Sequence, residues 1–163
     1  MKSRFAFLVA LAFVLAAALS AETKISGELQ CKAEPPAPVP IPDQPNHVYA
    51  VVKATCTWTK PFDLGGSPVK EGTETISSEM WGEKGSDRGY FAGGTAGGDT
   101  YTVKFAGTSR SKDGKTAGNE GTWSFTGGTG KLKGLKGGGK YKSGAANPDG
   151  TLTTRVDGEY SLP

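Results

Sequence analysis

Histidine and cysteine are scarce in this chain, and their scarcity limits its chemistry. One histidine and two cysteines stand among 163 residues, too few for a closed four-ligand zinc site. The single histidine, His47, lies where a proline-rich stretch meets a strand pattern. A catalytic triad needs three groups in one pocket, and nothing in the pattern gathers them here, so we interpret His47 as a solvated imidazole. No catalytic residue, metal site or cofactor is predicted.

Long apolar runs are absent except at the beginning of the chain. Residues 1–20 open with two basic residues, continue as an unbroken apolar run and end with small residues, the pattern of a signal peptide cleaved after Ser20 or Ala21. The run is short for a membrane span, so a retained N-terminal anchor is the weaker alternative. We predict one exported domain over residues 21–163, periplasmic or extracellular, without an integral membrane span.

An excess of one charge is also lacking. Two of the 19 basic residues fall within residues 1–20, which leaves 17 against 16 acidic residues and a net charge of +1. Such a balance does not predict a nucleic-acid partner. Five lysines nevertheless cluster where residues 121–148 contain no acid. They are either a site for an anionic glycan or lipid headgroup, or ordinary solubilising lysines that protect a strand edge: Lys131, Lys133, Lys136, Lys140 and Lys142.

Glycine is abundant, with 25 residues, all of them after the apolar run. Each glycine inside a helix costs about 1 kcal/mol relative to alanine, so this content argues against helices. Apolar and polar residues alternate instead, which predicts strands. An even number of short antiparallel strands favours a small closed all-β barrel, with a two-sheet sandwich as the alternative. We predict eight strands, near residues 25–32, 47–59, 73–81, 88–92, 100–107, 119–126, 138–143 and 152–162.

The two cysteines flank a proline-rich segment. Six prolines lie within residues 34–46, which predicts an extended surface loop because proline cannot join a central strand. Cys31 and Cys56 fall on the apolar faces of the strands before and after this loop. A disulfide is the expected state in an exported protein, and two buried free thiols are the alternative.

Six aromatic residues fall at positions where we predict that the side chain points inward. Rings on the inner face of a small barrel either fill its core or form the flat walls of a ligand pocket, in which tyrosine hydroxyls orient the ligand. The core is the simpler interpretation, and the pocket is the functional one. These residues are Trp58, Tyr90, Tyr101, Trp123, Tyr141 and Tyr160.

A glycine-rich run carries a family resemblance. Residues 125–137, Phe-Thr-Gly-Gly-Thr-Gly-Lys-Leu-Lys-Gly-Leu-Lys-Gly, resemble the Gly-Gly-Thr-Gly-Lys-Phe turn of plant dirigent proteins and the Gly-Gly-Ser-Gly turn of allene oxide cyclases. Residues 156–160, Val-Asp-Gly-Glu-Tyr, are similar to the ending of small exported bacterial proteins of the same superfamily. The resemblance implies an eight-stranded antiparallel barrel with an apolar cavity, often trimeric. It transfers no catalytic residue to this chain.

These observations predict an exported protein of the cell envelope that is not an enzyme. It either binds a small apolar ligand or serves as a structural barrel, and the resemblance implies a homo-oligomer. One alternative is a cyclase- or isomerase-like or dirigent-type protein, in which the shape of the pocket does most of the work. A second alternative is an adhesion or interaction module that uses the lysine cluster.

Overall fold

The computed structural model describes residues 22–163, so the predicted signal peptide lies outside the described residues. Within them, no helix has the length and apolar character needed to cross a bilayer. Ten strands and one short 3-10 helix make up the regular structure. They are β1 (Thr23–Ala33), β2 (Val39–Pro40), β3 (His47–Lys60), β4 (Asp63–Leu64), β5 (Ser67–Trp81), β6 (Lys84–Thr95), β7 (Thr100–Lys112), β8 (Lys115–Gly128), the 3-10 helix (Gly130–Leu132), β9 (Lys136–Ser143) and β10 (Thr151–Ser161).

Eight of these strands form a closed antiparallel barrel. From β3 the order runs through β1, β10, β9, β8, β7, β6 and β5, and β5 then pairs with β3 to close the ring. The two-residue strands β2 and β4 lie outside the ring, on β3 and β5. The barrel and all eight predicted strands are confirmed, and the sandwich alternative is wrong because no edge remains open between β3 and β5.

Alternation along each strand divides the residues between the interior and the solvent. In β1, Ile25, Leu29 and Cys31 are buried while Lys24 and Ser26 are exposed, the period of two that a half-buried strand requires. The other barrel strands follow the same rule except where the register shifts, as between Val69 and Gly72 of β5. The core is therefore the barrel interior.

The glycine-rich run closes one end of the barrel. After β8 it turns into the 3-10 helix, with Gly130 at a φ of 53°, a conformation that glycine adopts without strain. The backbone N–H of Lys131 donates to the Asp99 carboxylate at 3.2 Å, which fixes the turn. Leu132 is thereby placed inside the barrel end, where it is 1% exposed. The run has an architectural role here.

The cysteines face each other across β1 and β3. Cys31 pairs directly with Cys56 in the strand register, and the two form a disulfide. The predicted bridge is confirmed. It closes the proline-rich loop of residues 34–46, which is mostly exposed and returns to the barrel through β2.

Inward-facing glycines make room for the aromatic rings. Gly107 and Gly121 are cross-strand partners on β7 and β8. A Cβ atom on Gly107 would collide with the carbonyl oxygen of Glu120 and the hydroxyl of Tyr141, and would lie 2.8 Å from the Cα of Gly121. The absence of side chains at this pair is therefore what allows the Tyr141 ring to cross it.

Gly107→Ala should lower the free energy of unfolding by about 2 kcal/mol, because overpacking a dense interior forces strands apart. Gly127→Ala is the matched control, since a Cβ at Gly127 meets no atom within 4 Å. Urea denaturation of both variants measures the difference. Equal stability of the two would show that the close approach of β7 and β8 does not require glycine.

Candidate functional site

The barrel interior contains a cavity of about 100 Å³. All eight barrel strands contribute to its walls. Ordinary ligand pockets span roughly 300–1,000 Å³, and one water takes about 30 Å³ of liquid volume. This cavity therefore holds a few waters or a ligand no larger than about one ring. Its lining is Leu29, Trp58, Phe62, Glu74, Ile76, Asp87, Phe91, Tyr101, Val103, Phe105, Asn119, Trp123, Phe125, Tyr141, Ser143, Leu152, Thr154 and Val156.

Aromatic rings form one continuous side of this cavity. The ring centroids lie 6.4 Å apart for Trp58 and Phe91, 5.8 Å for Phe91 and Tyr101, and 6.0 Å for Tyr101 and Phe125. Trp123 extends the series at 5.1 Å from Phe125. Most of these pairs meet edge to face, the arrangement that the ring quadrupole favours. The rings hold one another in place and present a flat apolar surface to the cavity.

Three polar atoms on the cavity wall are buried without a hydrogen-bond partner among residues 22–163. They are the indole nitrogen of Trp58, the hydroxyl of Tyr101 and the amide oxygen of Asn119. Burial raises the pKa of Tyr101 and outweighs the lowering effect of the neighbouring Trp58 side chain, so the phenol stays neutral. A buried polar atom without a partner costs about 1–3 kcal/mol. Any guest that supplies partners to these atoms recovers part of that cost.

Glu74 places a carboxyl group on the same wall. It projects inward from β5, opposite Phe91 on β6, and within the described residues nothing forms a hydrogen bond or an ion pair with it. A carboxyl oxygen lies within 4.8 Å of both sulfur atoms of the disulfide. Burial raises the pKa of Glu74 to about 7. This carboxyl can therefore gain or lose a proton near neutral pH.

A second group of polar residues lines the cavity. The side-chain amide of Asn119 donates to the Asp87 carboxylate at 3.2 Å, and Asp87 is 6% exposed. The hydroxyls of Ser143 and Thr154 lie 2.8 Å apart. Burial, together with the charges of Asp87 and Glu74, raises the pKa of Tyr141 to about 12. The cavity thus combines an aromatic wall with two carboxyl groups.

Four of the six aromatic residues predicted for a pocket line this cavity: Trp58, Tyr101, Trp123 and Tyr141. Tyr160 is buried but lies outside the lining, and its hydroxyl accepts a hydrogen bond from the Gly65 backbone at 3.2 Å. The indole N–H of Trp123 donates to the Lys140 carbonyl at 3.1 Å, which orients that ring.

The inward orientation predicted for Tyr90 is wrong. Tyr90 is 60% exposed on the outer wall, whereas its neighbour Phe91 is 5% exposed and faces the interior. Two adjacent residues of a strand cannot share a face. Phe91 takes the inner position because Gly72 on β5 and Gly93 on β6, where a Cβ would collide with its ring, leave room for it.

The five lysines of the predicted cluster are all exposed. Lys142 forms an ion pair with Glu120 at 3.5 Å, and Lys140 lies opposite Asp157 in the strand register. These lysines of β9 therefore lie between acidic residues of the two neighbouring strands, β8 and β10. Binding of a partner by this cluster stays a prediction.

His47 is buried, not solvated as predicted. Its Nδ1 contacts the Asp43 carboxylate at 2.5 Å, its Nε2 contacts Glu79 at 3.0 Å, and its ring stacks on Trp81 at 5.1 Å. The hydrogen bond with Asp43, followed by that with Glu79, raises the pKa of His47 despite burial. The histidine therefore fastens the proline-rich loop to the end of β5.

Sequence reasoning missed the polar lining residues Glu74, Asp87 and Asn119. The alternation could have indicated two of them, because Glu74 is two positions from the apolar Ile76 and Asn119 is four positions from Trp123. Residues at such spacings lie on the same face of a strand. Charged residues are rarely buried, so parity alone did not point to an interior acid. Asp87 also fell outside the predicted strand, which begins at residue 88, whereas β6 begins at Lys84.

The sequence matches no protein-family model and no curated protein. A solved structure of a pterocarpan synthase dirigent protein is similar over 96% of this chain and 100% of its own length, with a TM-score of 0.54 and 12% sequence identity. At this identity the likeness concerns the fold. It confirms the dirigent-type barrel that the glycine-rich run indicated.

Proposed function

We propose that this barrel binds a small, flat, largely apolar ligand of about one ring that carries at least one oxygen. The observation that supports it best is the set of three buried polar atoms without partners on one aromatic-walled cavity. Native proteins leave few such atoms, and each calls for an unseen water or ligand. An exclusively structural barrel would gain stability from apolar side chains at these positions.

The arrangement of donors and acceptors defines the chemistry of the ligand. The indole N–H of Trp58 points at the hydroxyl oxygen of Tyr101 from beyond strict hydrogen-bond geometry, and the O–H of Tyr101 is left to donate to an oxygen of the guest. The amide oxygen of Asn119 is free to accept from a hydroxyl. The aromatic wall of the cavity contacts the apolar part of the ligand. A one-ring phenol or alcohol meets both requirements, whereas a hydrocarbon meets neither.

Export to the cell envelope is part of the proposal. The disulfide is compatible with an oxidising compartment, and the charge and hydropathy pattern of residues 1–20 is that of a signal peptide.

Titration calorimetry with phenol and benzene tests the binding proposal. We expect the wild type to bind phenol about tenfold more tightly than benzene. This ratio corresponds to the free energy of one hydrogen bond to a group that is otherwise unpaired. Tyr101→Phe should reduce this preference and leave benzene binding unchanged. Tyr49→Phe is the matched control, because the Tyr49 hydroxyl bonds to Ser77 outside the cavity. Failure of both ligands to bind would leave a water-filled structural barrel.

A second candidate, an isomerase-like activity, is favoured by the Glu74 carboxyl alone. A pKa near 7 suits a group that takes a proton from one carbon and returns it to another. The probe is 3-cyclohexen-1-one, from which Glu74 would remove a C2 proton and deliver a proton to C4, giving 2-cyclohexen-1-one. Conversion by the wild type and not by Glu74→Gln supports it. Equal rates would restrict the barrel to binding.

A further inference from the structure

A broad groove crosses the outer wall of the barrel, on the other face of the strands from most of the interior cavity. It has a volume of about 730 Å³, within the size range of ligand sites. It runs from β3 across β5, β6 and β7 to β8. We call it the outer groove and define it by Val51, Ser77, Arg88, Tyr90, Lys104 and Thr122.

Tyr90 is an unusual residue for such a surface. It lies in the middle of β6, between Thr75 on one neighbouring strand and Lys104 on the other, and it is 60% exposed. Val51, at the edge of the same groove, is 51% exposed. A large exposed ring within a row of hydroxyl-bearing side chains offers a flat apolar surface with hydrogen-bonding groups around it.

Two cations lie beside this ring without a counter-charge. Arg88 pairs across the strands with Ser77 and Ala106, and Lys104 pairs with Tyr90 and Ser124. Both cations are exposed, and no salt bridge among residues 22–163 involves either of them.

No acidic residue lines the groove. The nearest carboxylate on β5 by register, Glu79, is bound to His47. The outer groove is therefore a locally positive surface on a nearly neutral domain. A positive surface of this kind favours the binding of an anionic ligand.

We propose that the outer groove binds an acidic polysaccharide. The apolar face of a sugar ring fits the exposed ring of Tyr90, and the serine and threonine hydroxyls meet the sugar hydroxyls. Arg88 and Lys104 then pair with carboxylate or sulfate groups, for which arginine provides a two-pronged donor. Two cations are too few for the long phosphate track of a nucleic acid. This site shares only Phe105 and Trp123 with the lining of the interior cavity, and it includes no residue of the lysine cluster.

Affinity electrophoresis of the mature protein in gels with polygalacturonate, with heparin or with neutral dextran tests this proposal. We expect retardation by an anionic polymer, weakened by salt, and none by dextran. Stronger retardation by polygalacturonate would identify uronate as the bound group, and stronger retardation by heparin would identify sulfate. Arg88→Gln combined with Lys104→Gln should weaken the affinity about tenfold, as expected for the loss of charge-assisted pairs. Tyr90→Ala should weaken it for both polymers.

Lys131→Gln combined with Lys133→Gln is the matched control, since it removes the same charge from the lysine cluster. An equal loss in this control would overturn the proposal in favour of unspecific attraction. Absence of retardation in the wild type would overturn it as well. Sedimentation of the wild type as an oligomer that Tyr90→Ala dissociates would also overturn it, because the groove would then be covered by a second copy of the chain.

Discussion

Acidification from pH 8 to pH 5 should stabilise the barrel by roughly 3 kcal/mol through Glu74. Its pKa is about 7 in the folded protein against a model value of 4.5, and each unit of difference corresponds to about 1.4 kcal/mol. Between about pH 4.5 and pH 7 the folded state holds a proton that the unfolded state has released. Stability therefore falls as the pH rises from about 4.5 to 7 and is constant above that range.

Urea denaturation at several pH values measures this effect, and Glu74→Gln isolates it. The amide keeps the size of the side chain and cannot ionise, so the variant should match the wild type at pH 5 and exceed its stability by roughly 3 kcal/mol at pH 8. The comparison is needed because His47, whose pKa is raised in the folded state, gives a dependence of the same sign. Parallel curves for the two proteins would show that the Glu74 carboxyl is solvated.

Reduction of the disulfide should lower the free energy of unfolding by roughly 3 kcal/mol. The bridge joins residues 25 positions apart, and a crosslink over a loop of this length removes about that much chain entropy from the unfolded state. Both cysteines are buried, with Cys56 1% exposed. The loss should appear as a lower urea midpoint and a steeper dependence on urea, since the reduced unfolded chain is more expanded.

Two forms of the protein separate the crosslink from the packing of the cysteines. Reduced wild type keeps both side chains and loses only the bond, whereas Cys31→Ala combined with Cys56→Ala also removes the sulfur atoms. Reduced wild type should show the loss of roughly 3 kcal/mol, and the double variant a further loss from the cavity it creates. If oxidised and reduced wild type were equally stable, the bridge would have no role in holding β1 on β3.

Local alternation was sufficient to predict the barrel strands and the disulfide. A strand with one buried face must show a period of two, so β1, β3 and β10 could be recognised without knowledge of their partners. The pairing of Cys31 with Cys56 followed because both lie on apolar faces that flank one loop. The glycine-rich run indicated the type of barrel through its resemblance to the turn of dirigent proteins, and Gly130 and Gly134 within it have a positive φ.

The candidate site could not be predicted to the same extent, because it depends on contacts between distant strands. Only one of the adjacent residues Tyr90 and Phe91 can face the interior. Which of them does so depends on the inward-facing glycines around them. Glu74 is an interior acid because it lies in register with Ala54 on β3 and Phe91 on β6, both of which are buried. The burial of His47 likewise requires Asp43 in the loop and Trp81 on β5.

The pairing of β1 with β10, Thr23 opposite Tyr160, has a consequence for the order of folding. Most of the other neighbouring strands in the ring are joined by short connections, so they can pair as soon as both strands have been synthesised. The ring itself closes only when β10 has been synthesised, so the core stays incomplete during nearly all of translation, and the closing contact is the one of highest loop entropy. Such late closure suits a polypeptide that is threaded through a translocation channel before it folds, as the pattern of residues 1–20 predicts.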